Sequence, residues 1–258
     1  MVEGFGEFWL AAFEEGAELS FESTVCFHCL RESTGDESGN KDMNPTNLGS
    51  KFQSAMNFAF TLHQEQRRKS ADIPYFSYLM GVAAIVLEYG GDETTAVAAL
   101  LHDAVEDQGG QPTDLLIERV FGIEVATLVR ACTEDKALPW QERKQQYIDH
   151  MAHESAPARL ICAADKIHNL RAMLTHLQIR GNVVWTRFKG GRDKSLWFYE
   201  GVLNALRQGT QESDPPQLSR AVDELERTVR ELSTFVGIPA TADKSRYYGI
   251  RWLDTELR

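Results

Sequence analysis

The sequence predicts an all-α protein, and three observations support this fold class. From residue 51 to about 175, apolar residues recur at the 3.6-residue period of a helix, as Phe52, Met56 and Phe60 do. No alternating apolar and polar run is long enough for a useful strand, and no internal repeat occurs. Glycine and proline fall between the periodic segments, where helices end. We therefore predict a helical bundle in a single domain.

These breaks set the bounds of each predicted helix. Asp92 is a plausible N-cap, Gly90 a natural helix stop, and Pro112 a good first residue of a helix. Glycines and Trp185 indicate a loop over 181–192. The predicted helices cover 51–63, 76–89, 92–107, 112–121, 124–132, 139–154, 158–177, 196–207 and 216–235.

Changes in composition and in apolar periodicity divide the chain into three parts. Residues 1–50 are irregular and become rich in polar turn-forming residues, which predicts a partly disordered N-terminal extension. Residues 51–210 form the predicted helical core. Residues 211–258 form a predicted C-terminal helix and tail that pack on this core.

Composition excludes several classes of function. With 27 Lys+Arg against 38 Asp+Glu, the 258-residue chain has a net charge of −11, which argues against binding to nucleic acids or anionic membranes. It has no apolar run of about 18 residues, and its acidic N-terminus does not resemble a secretory signal. We therefore expect a cytoplasmic protein, and a polyanionic substrate would need a local basic patch or a metal ion.

Cysteine usage fits a reduced compartment. Four cysteines do not make a disulfide scaffold in a chain of this length. Cys26 and Cys29 flank His28, but no second pair follows to complete a zinc site, so zinc is disfavoured there and the role of the pair is left open.

Polar residues interrupt an otherwise apolar helix at 96–107. His102 and Asp103 break the apolar run, and Glu106 and Asp107 follow three and four residues after Asp103. On a helix these carboxylates share one region, where they repel each other and are costly to bury. A divalent cation would remove both penalties. Alternatively, this turn lies on the solvent side of a helix end.

A second apolar helix contains a comparable interruption. Asp165 lies within the run 158–170, and His168 and Asn169 follow on the same face. A lone aspartate in such a helix is more often a cap or half of an ion pair than a metal ligand. Two interrupted helices in one small domain nevertheless favour a shared site.

These motifs together resemble a known family. The strings are LLHDAVED at 100–107, HQEQRRKS at 63–70 with Pro74-Tyr75, and ADKIHNLR at 164–171. They are similar, in order and spacing, to the HD-domain metal-dependent phosphohydrolases, and most closely to the hydrolase domain of Rel/SpoT alarmone enzymes and the stand-alone small alarmone hydrolases. The resemblance covers roughly residues 51–210.

The resemblance implies a function in the stringent response. It implies removal of the 3′-pyrophosphate from guanosine tetra- or pentaphosphate, with Mn²⁺ or another divalent metal as cofactor. His102, Asp103 and Asp165 match metal ligands, and Glu106 and Asp107 match the acidic pair that handles the attacking water. Arg68, Lys69 and Asn169 match residues that contact the nucleotide, and Arg67 extends the basic patch.

One position departs from the family pattern. Where the family has a fourth ligand, a histidine, this chain has Tyr78, and a phenol is a poor neutral ligand. Either Tyr78 or water completes the metal site, or the protein is a nucleotide-binding protein with weakened or lost turnover. His63 is disfavoured as a replacement for the missing histidine ligand, because His63 already matches another position of the family pattern. An alternative is the same chemistry on a related substrate, such as removal of the 2′-phosphate of NADPH. A smaller departure is Gln108, where the family has a small hydroxyl residue.

Overall fold

The computed structural model describes residues 46–68 and 72–237, which fold into helices. The predicted all-α class is confirmed, because backbone pairing between extended segments in these ranges is limited to one isolated bridge, Arg67 to Pro74. The helices are α1 (Ser50–His63), α2 (Tyr75–Glu88), α3 (Glu93–Leu101), α4 (Ala104–Asp107), α5 (Gln111–Phe121), α6 (Ile123–Cys132), α7 (Trp140–Met151), α8 (Ala156–Arg180), a 3₁₀ helix (Gly181–Arg187), α9 (Gly191–Gln208) and α10 (Pro216–Gly237).

Helix α8 forms the centre of the bundle. It packs against α2, α3, α6, α9 and α10, and every residue from 158 to 167 is buried. Ser155 caps its N-terminus by accepting a hydrogen bond from the amide of Ala158 (3.4 Å). Since a helix surrounded on all sides is normally apolar throughout, the polar Asp165 and Lys166 on it need local partners.

Helix α3 packs against α1, α2 and α6, and it is buried from Thr95 to Leu101. Asp92 caps it as predicted, accepting from the amide of Thr95 at 2.8 Å. Helices α3 and α8 are also in contact, so the two interrupted segments lie side by side. This packing places the polar residues of both helices in one part of the bundle.

The prediction of one continuous helix over 92–107 is wrong. The Nδ1–H of His102 donates to the carbonyl of Ala99 at 2.7 Å, and this is the carbonyl that a continuing helix would offer to the amide of Asp103. Asp103 takes φ −98° and ψ −2°, and the helix restarts at Ala104. The break leaves His102 and Asp103 at the junction of α3 and α4.

The predicted loop over 181–192 is also wrong in part. Residues Gly181–Arg187 form a 3₁₀ helix, and α9 begins at Gly191. Val184 and Trp185 are buried, and the Trp185 ring packs on Phe188 with centroids 6.2 Å apart. These apolar anchors give the segment regular structure despite its glycines.

Several predictions fall outside the described ranges. They concern the extension up to residue 45 with Cys26 and Cys29, the predicted substrate residue Lys69, and the tail after residue 237. Among the described helices, none is long and apolar enough to cross a bilayer.

Candidate active site

Asp165 is the centre of a buried polar cluster on α8. Its Oδ2 accepts from Lys166 Nζ at 2.5 Å, and its Oδ1 accepts from the Tyr78 hydroxyl at 2.5 Å and from the Asn169 amide. Burial alone would raise the pKa of the Asp165 carboxyl, but the Lys166 ammonium outweighs it and holds that pKa well below its usual range. Asp165 is therefore an ionised carboxylate in the protein interior.

His102 and Asp103 reach the same cluster from the α3–α4 junction. Since His102 uses Nδ1–H on a backbone carbonyl, its Nε2 faces the Tyr78 hydroxyl at 2.8 Å and Asp103 Oδ2 at 3.3 Å. Asp103 Oδ2 in turn accepts from the Tyr75 hydroxyl at 2.6 Å. Tyr75 lies one helical turn before Tyr78 on α2. The Tyr75 hydroxyl donates to Asp103, and the Tyr78 hydroxyl donates to Asp165.

The donor set suits a divalent cation. An imidazole nitrogen and carboxylate oxygens are ligands for ions such as Mn²⁺, and His102 Nε2 and Asp165 Oδ1 point at one shared position. That position is held by the Tyr78 hydroxyl, and no group of three His, Cys, Asp or Glu side chains in the described ranges stands ready to enclose a metal. His102, Asp103 and Asp165 therefore fit a cation in chemical kind, and two of them, His102 and Asp165, point at the position that the phenol holds.

Glu106 and Asp107 differ in their surroundings. Burial, with the Asp103 and Glu134 carboxylates nearby, raises the pKa of Glu106. Burial would also raise the pKa of Asp107, but hydrogen bonds from Lys136 and from Gln66 (2.7 Å to Gln66 Nε2) outweigh it and lower that pKa. A carboxylate with a raised pKa is the better proton acceptor near neutral pH, so Glu106 suits a general base and Asp107 suits a fixed anchor.

The three predicted basic residues do not share one location. Arg68 donates to Asn169 Oδ1 at 2.8 Å, and its guanidinium lies over the Tyr78 ring, 4.6 Å from the centroid. Arg67 is exposed and pairs with Asp72 at 3.7 Å, so the structure does not bring it into the cluster. Lys69 lies outside the described ranges.

His168 gives the cluster a pH-dependent stability. Burial, with the Arg68 guanidinium nearby, lowers the pKa of His168 from 6.5 to about 4. His168 therefore binds a proton near pH 6.5 in the unfolded chain but only near pH 4 in the folded chain, so the stability of the fold decreases as the pH drops through this window.

We expect the melting temperature of His168→Gln to decrease less than that of the wild type between pH 7 and pH 5. In this thermal unfolding assay, His153→Gln is the exposed control, and an equal loss in wild type and His168→Gln would contradict the assignment.

A cavity of about 190 Å³ opens beside Asn169. It is lined by Trp140, Lys144, Lys166, Asn169, Met173, Phe188, Lys189, Gly190, Ser195, Phe198 and Tyr199. Lys144 and Lys166 pair with Glu134 and Asp165. The four aromatic rings suit stacking on a base, and Lys189 adds an ammonium that can pair with a phosphate. A larger concavity of about 640 Å³ between α7 and α9 contains none of the predicted site residues.

Sequence reasoning missed four residues of the cluster: Gln66, Tyr75, Lys136 and Lys166. Lys136 lies in the connection between α6 and α7, where no periodic pattern marks it, yet its ammonium reaches Asp107. Lys166 directly follows Asp165, and neighbouring residues on a helix normally face different directions. Only Tyr75 carried a signal, because it lies three residues before the departure at Tyr78 on the same helix face.

Comparison with known proteins supports one family. The sequence profile of the HD domain matches residues 55–187. Guanosine-3′,5′-bis(diphosphate) 3′-pyrophosphohydrolase MESH1 of Drosophila melanogaster is 38% identical over 160 residues, which are 61% of this chain and 85% of that protein. The Xenopus tropicalis protein of the same name is 46% identical over 120 residues, 45% of this chain and 66% of that protein.

A solved structure also matches the fold. It is described as a metazoan ortholog of SpoT that hydrolyses ppGpp and plays a role in starvation responses. It is 34% identical with a TM-score of 0.59, and the match covers 72% of this chain and 99% of the other.

Proposed function

Because the chain belongs to the HD domain family, we propose that it is a metal-dependent pyrophosphohydrolase that removes the 3′-pyrophosphate of guanosine 3′,5′-bis(diphosphate). One observation carries the proposal: His102 and Asp165, from different parts of the chain, point at a common position beside Asp103. The relatives' activity supports the substrate, since the chain is similar to these proteins by sequence and by fold.

We propose His102, Asp103 and Asp165 as the residues that hold the cation, with Mn²⁺ as the metal. What a divalent cation supplies there is charge neutralisation of the pyrophosphate and a lowered pKa for a water molecule. Charge neutralisation matters here because a chain of net charge −11 would otherwise repel a polyanionic substrate.

We propose that Glu106 accepts the proton of the attacking water. As the water oxygen bonds to the phosphorus next to the ribose, the bond from that phosphorus to the 3′-oxygen breaks. The 3′-oxygen takes up the proton from Glu106, which leaves a 3′-hydroxyl, pyrophosphate and an ionised Glu106. Asp107 fixes Lys136, whose ammonium lies 3.7 Å from Glu106 Oε1.

We propose that Arg68, Asn169 and the lysine-lined cavity receive the nucleotide. Arg68 is already held by Asn169, so its guanidinium is pre-positioned to stack on a base or pair with a phosphate. The roles of Arg67 and Lys69 as substrate contacts remain predictions from the sequence, as do the assignment of 51–210 as the catalytic core and a cytoplasmic location.

A substrate panel tests this proposal. We expect kcat/KM for guanosine 3′,5′-bis(diphosphate) to exceed that for NADPH by at least about tenfold, because the site would bind two separate diphosphates. Products are separated as pyrophosphate or orthophosphate by ion chromatography at saturating Mn²⁺. Faster orthophosphate release from NADPH would instead favour the related phosphatase.

A second candidate function is a nucleotide-binding HD protein with weakened turnover. The observation that favours it is the Tyr78 hydroxyl at the position which His102 and Asp165 share. Binding of the nucleotide without added metal and without product would support it.

A further inference from the structure

Tyr78 is a buried side chain at the point where the proposed ligands meet. It is 4% exposed, and its hydroxyl lies 2.8 Å from His102 Nε2, 2.5 Å from Asp165 Oδ1 and 3.5 Å from Asn169 Nδ2. Two of the three residues assigned to the cation therefore already share a protein partner. A phenol also carries its oxygen farther from the backbone than an imidazole carries its nitrogen, so it reaches the space that a bound ion would fill.

Protein donors also bond two further carboxylate oxygens of the cluster. Lys166 Nζ lies 2.5 Å from Asp165 Oδ2, and the Tyr75 hydroxyl lies 2.6 Å from Asp103 Oδ2. The positive charge that a buried carboxylate needs is thus supplied to Asp165 by a lysine. An incoming cation must therefore displace existing contacts.

The Tyr78 ring is held in place by its neighbours. The Arg68 guanidinium lies over one face, and the rings of Tyr75, His102 and His168 lie 5.2 to 5.4 Å away. Gly81 makes room for this packing, since a Cβ there would lie 2.4 Å from the His168 ring. Moving the phenol out of the shared position would therefore disturb several contacts at once.

We infer that Tyr78 sets the metal affinity of this chain by holding the cation's position with its own hydroxyl. The inference rests on the proposed function for the identity of the site. Cation binding requires the phenol to leave, so the apparent affinity is reduced by the small fraction of molecules in which it has left. The chain should bind Mn²⁺ weakly and respond only to high concentrations of the free ion.

Mn²⁺ titration of the full chain tests this inference. Free Mn²⁺ is followed by electron paramagnetic resonance in wild type, Tyr78→His and Tyr78→Phe, and binding is checked by the Mn²⁺-induced rise in melting temperature. We expect Tyr78→His, which opens the position and adds a nitrogen ligand, to lower Kd by about 100-fold or more. Tyr78→Phe opens it without adding a ligand and should lower Kd by about tenfold.

Tyr147→Phe provides the matched control. Tyr147 is another buried tyrosine, 3% exposed, and its loss of a hydroxyl should leave Kd at the wild-type value. Wild-type affinity equal to that of Tyr78→His would overturn the inference. If Tyr78→His does not fold, Tyr78→Phe decides, and an unchanged Kd in that variant overturns it.

Failure of the proposed function has a different signature. Tight Mn²⁺ binding by Tyr78→His with no pyrophosphate release from guanosine 3′,5′-bis(diphosphate) would refute the proposed function and leave the inference on Tyr78 intact. Pyrophosphate release with an Mn²⁺ affinity that does not change between wild type and Tyr78→His would refute the inference and leave the function intact.

Discussion

Asp103→Ala is expected to lower pyrophosphate release by about 1,000-fold or more at saturating Mn²⁺, because several kcal/mol of charge stabilisation at the reacting phosphate depend on this carboxylate. Asp103 Oδ2 lies 3.3 Å from His102 Nε2, beside another proposed ligand of the cation. The same substitution should abolish the Mn²⁺-induced rise in melting temperature. Steady-state kinetics and thermal unfolding measure the two effects.

The control for Asp103 is Asp223→Asn on the exposed face of α10, which should change neither quantity. Because Asp103 also accepts from Tyr75, the folded state of the variant must be checked by circular dichroism. A folded Asp103→Ala protein that keeps wild-type turnover would remove Asp103 from the proposed cation site.

Glu106→Gln is expected to lower kcat by about 100- to 10,000-fold while leaving KM nearly unchanged, because it removes the proton acceptor and keeps the shape of the side chain. The raised pKa of Glu106 in the free protein predicts that the acid limb of the wild-type kcat/KM profile lies above the ordinary glutamate value of 4.5. Below this limb Glu106 is protonated and cannot accept a proton, so kcat/KM should rise with pH. The pH profile of the residual activity of Glu106→Gln should lack this acid limb.

Two comparisons sharpen this test. Glu124→Gln, an exposed glutamate on α6, should behave as the wild type. Asp107→Asn should act mainly by releasing Lys136, since Asp107 is bonded by both Gln66 and Lys136. If Asp107→Asn removed the acid limb and Glu106→Gln kept it, the two roles would have to be exchanged.

The helical architecture could be predicted because apolar periodicity and glycine breaks act locally. Helices such as α2 and α5 begin and end within a residue of their expected positions. The break at His102 could not be predicted, since it depends on a side chain competing for the Ala99 carbonyl. The 3₁₀ helix at Gly181–Arg187 was missed because its buried anchors, Val184 and Trp185, outweigh its loop-like composition.

Part of the candidate site was also accessible from sequence. Polar residues inside two apolar helices indicated that His102, Asp103 and Asp165 share one site. In the fold, His102 contacts both Asp103 and the Tyr78 hydroxyl that bonds Asp165. The contacts of Lys136 and Gln66 come from connections without a periodic pattern, and only tertiary packing brings them to Asp107. The departure at Tyr78 was visible in the sequence, but the position of its hydroxyl depends on the packing of α2 against α8.

The central claim is that these residues remove pyrophosphate from guanosine 3′,5′-bis(diphosphate) with a divalent cation. The most direct measurement incubates the wild-type chain with this nucleotide at saturating Mn²⁺ and resolves the products by anion-exchange chromatography, with and without chelator. We expect GDP and pyrophosphate in equal amounts, and neither product once the metal is chelated. An unchanged nucleotide at every Mn²⁺ concentration, or equal turnover in the presence of chelator, would contradict it.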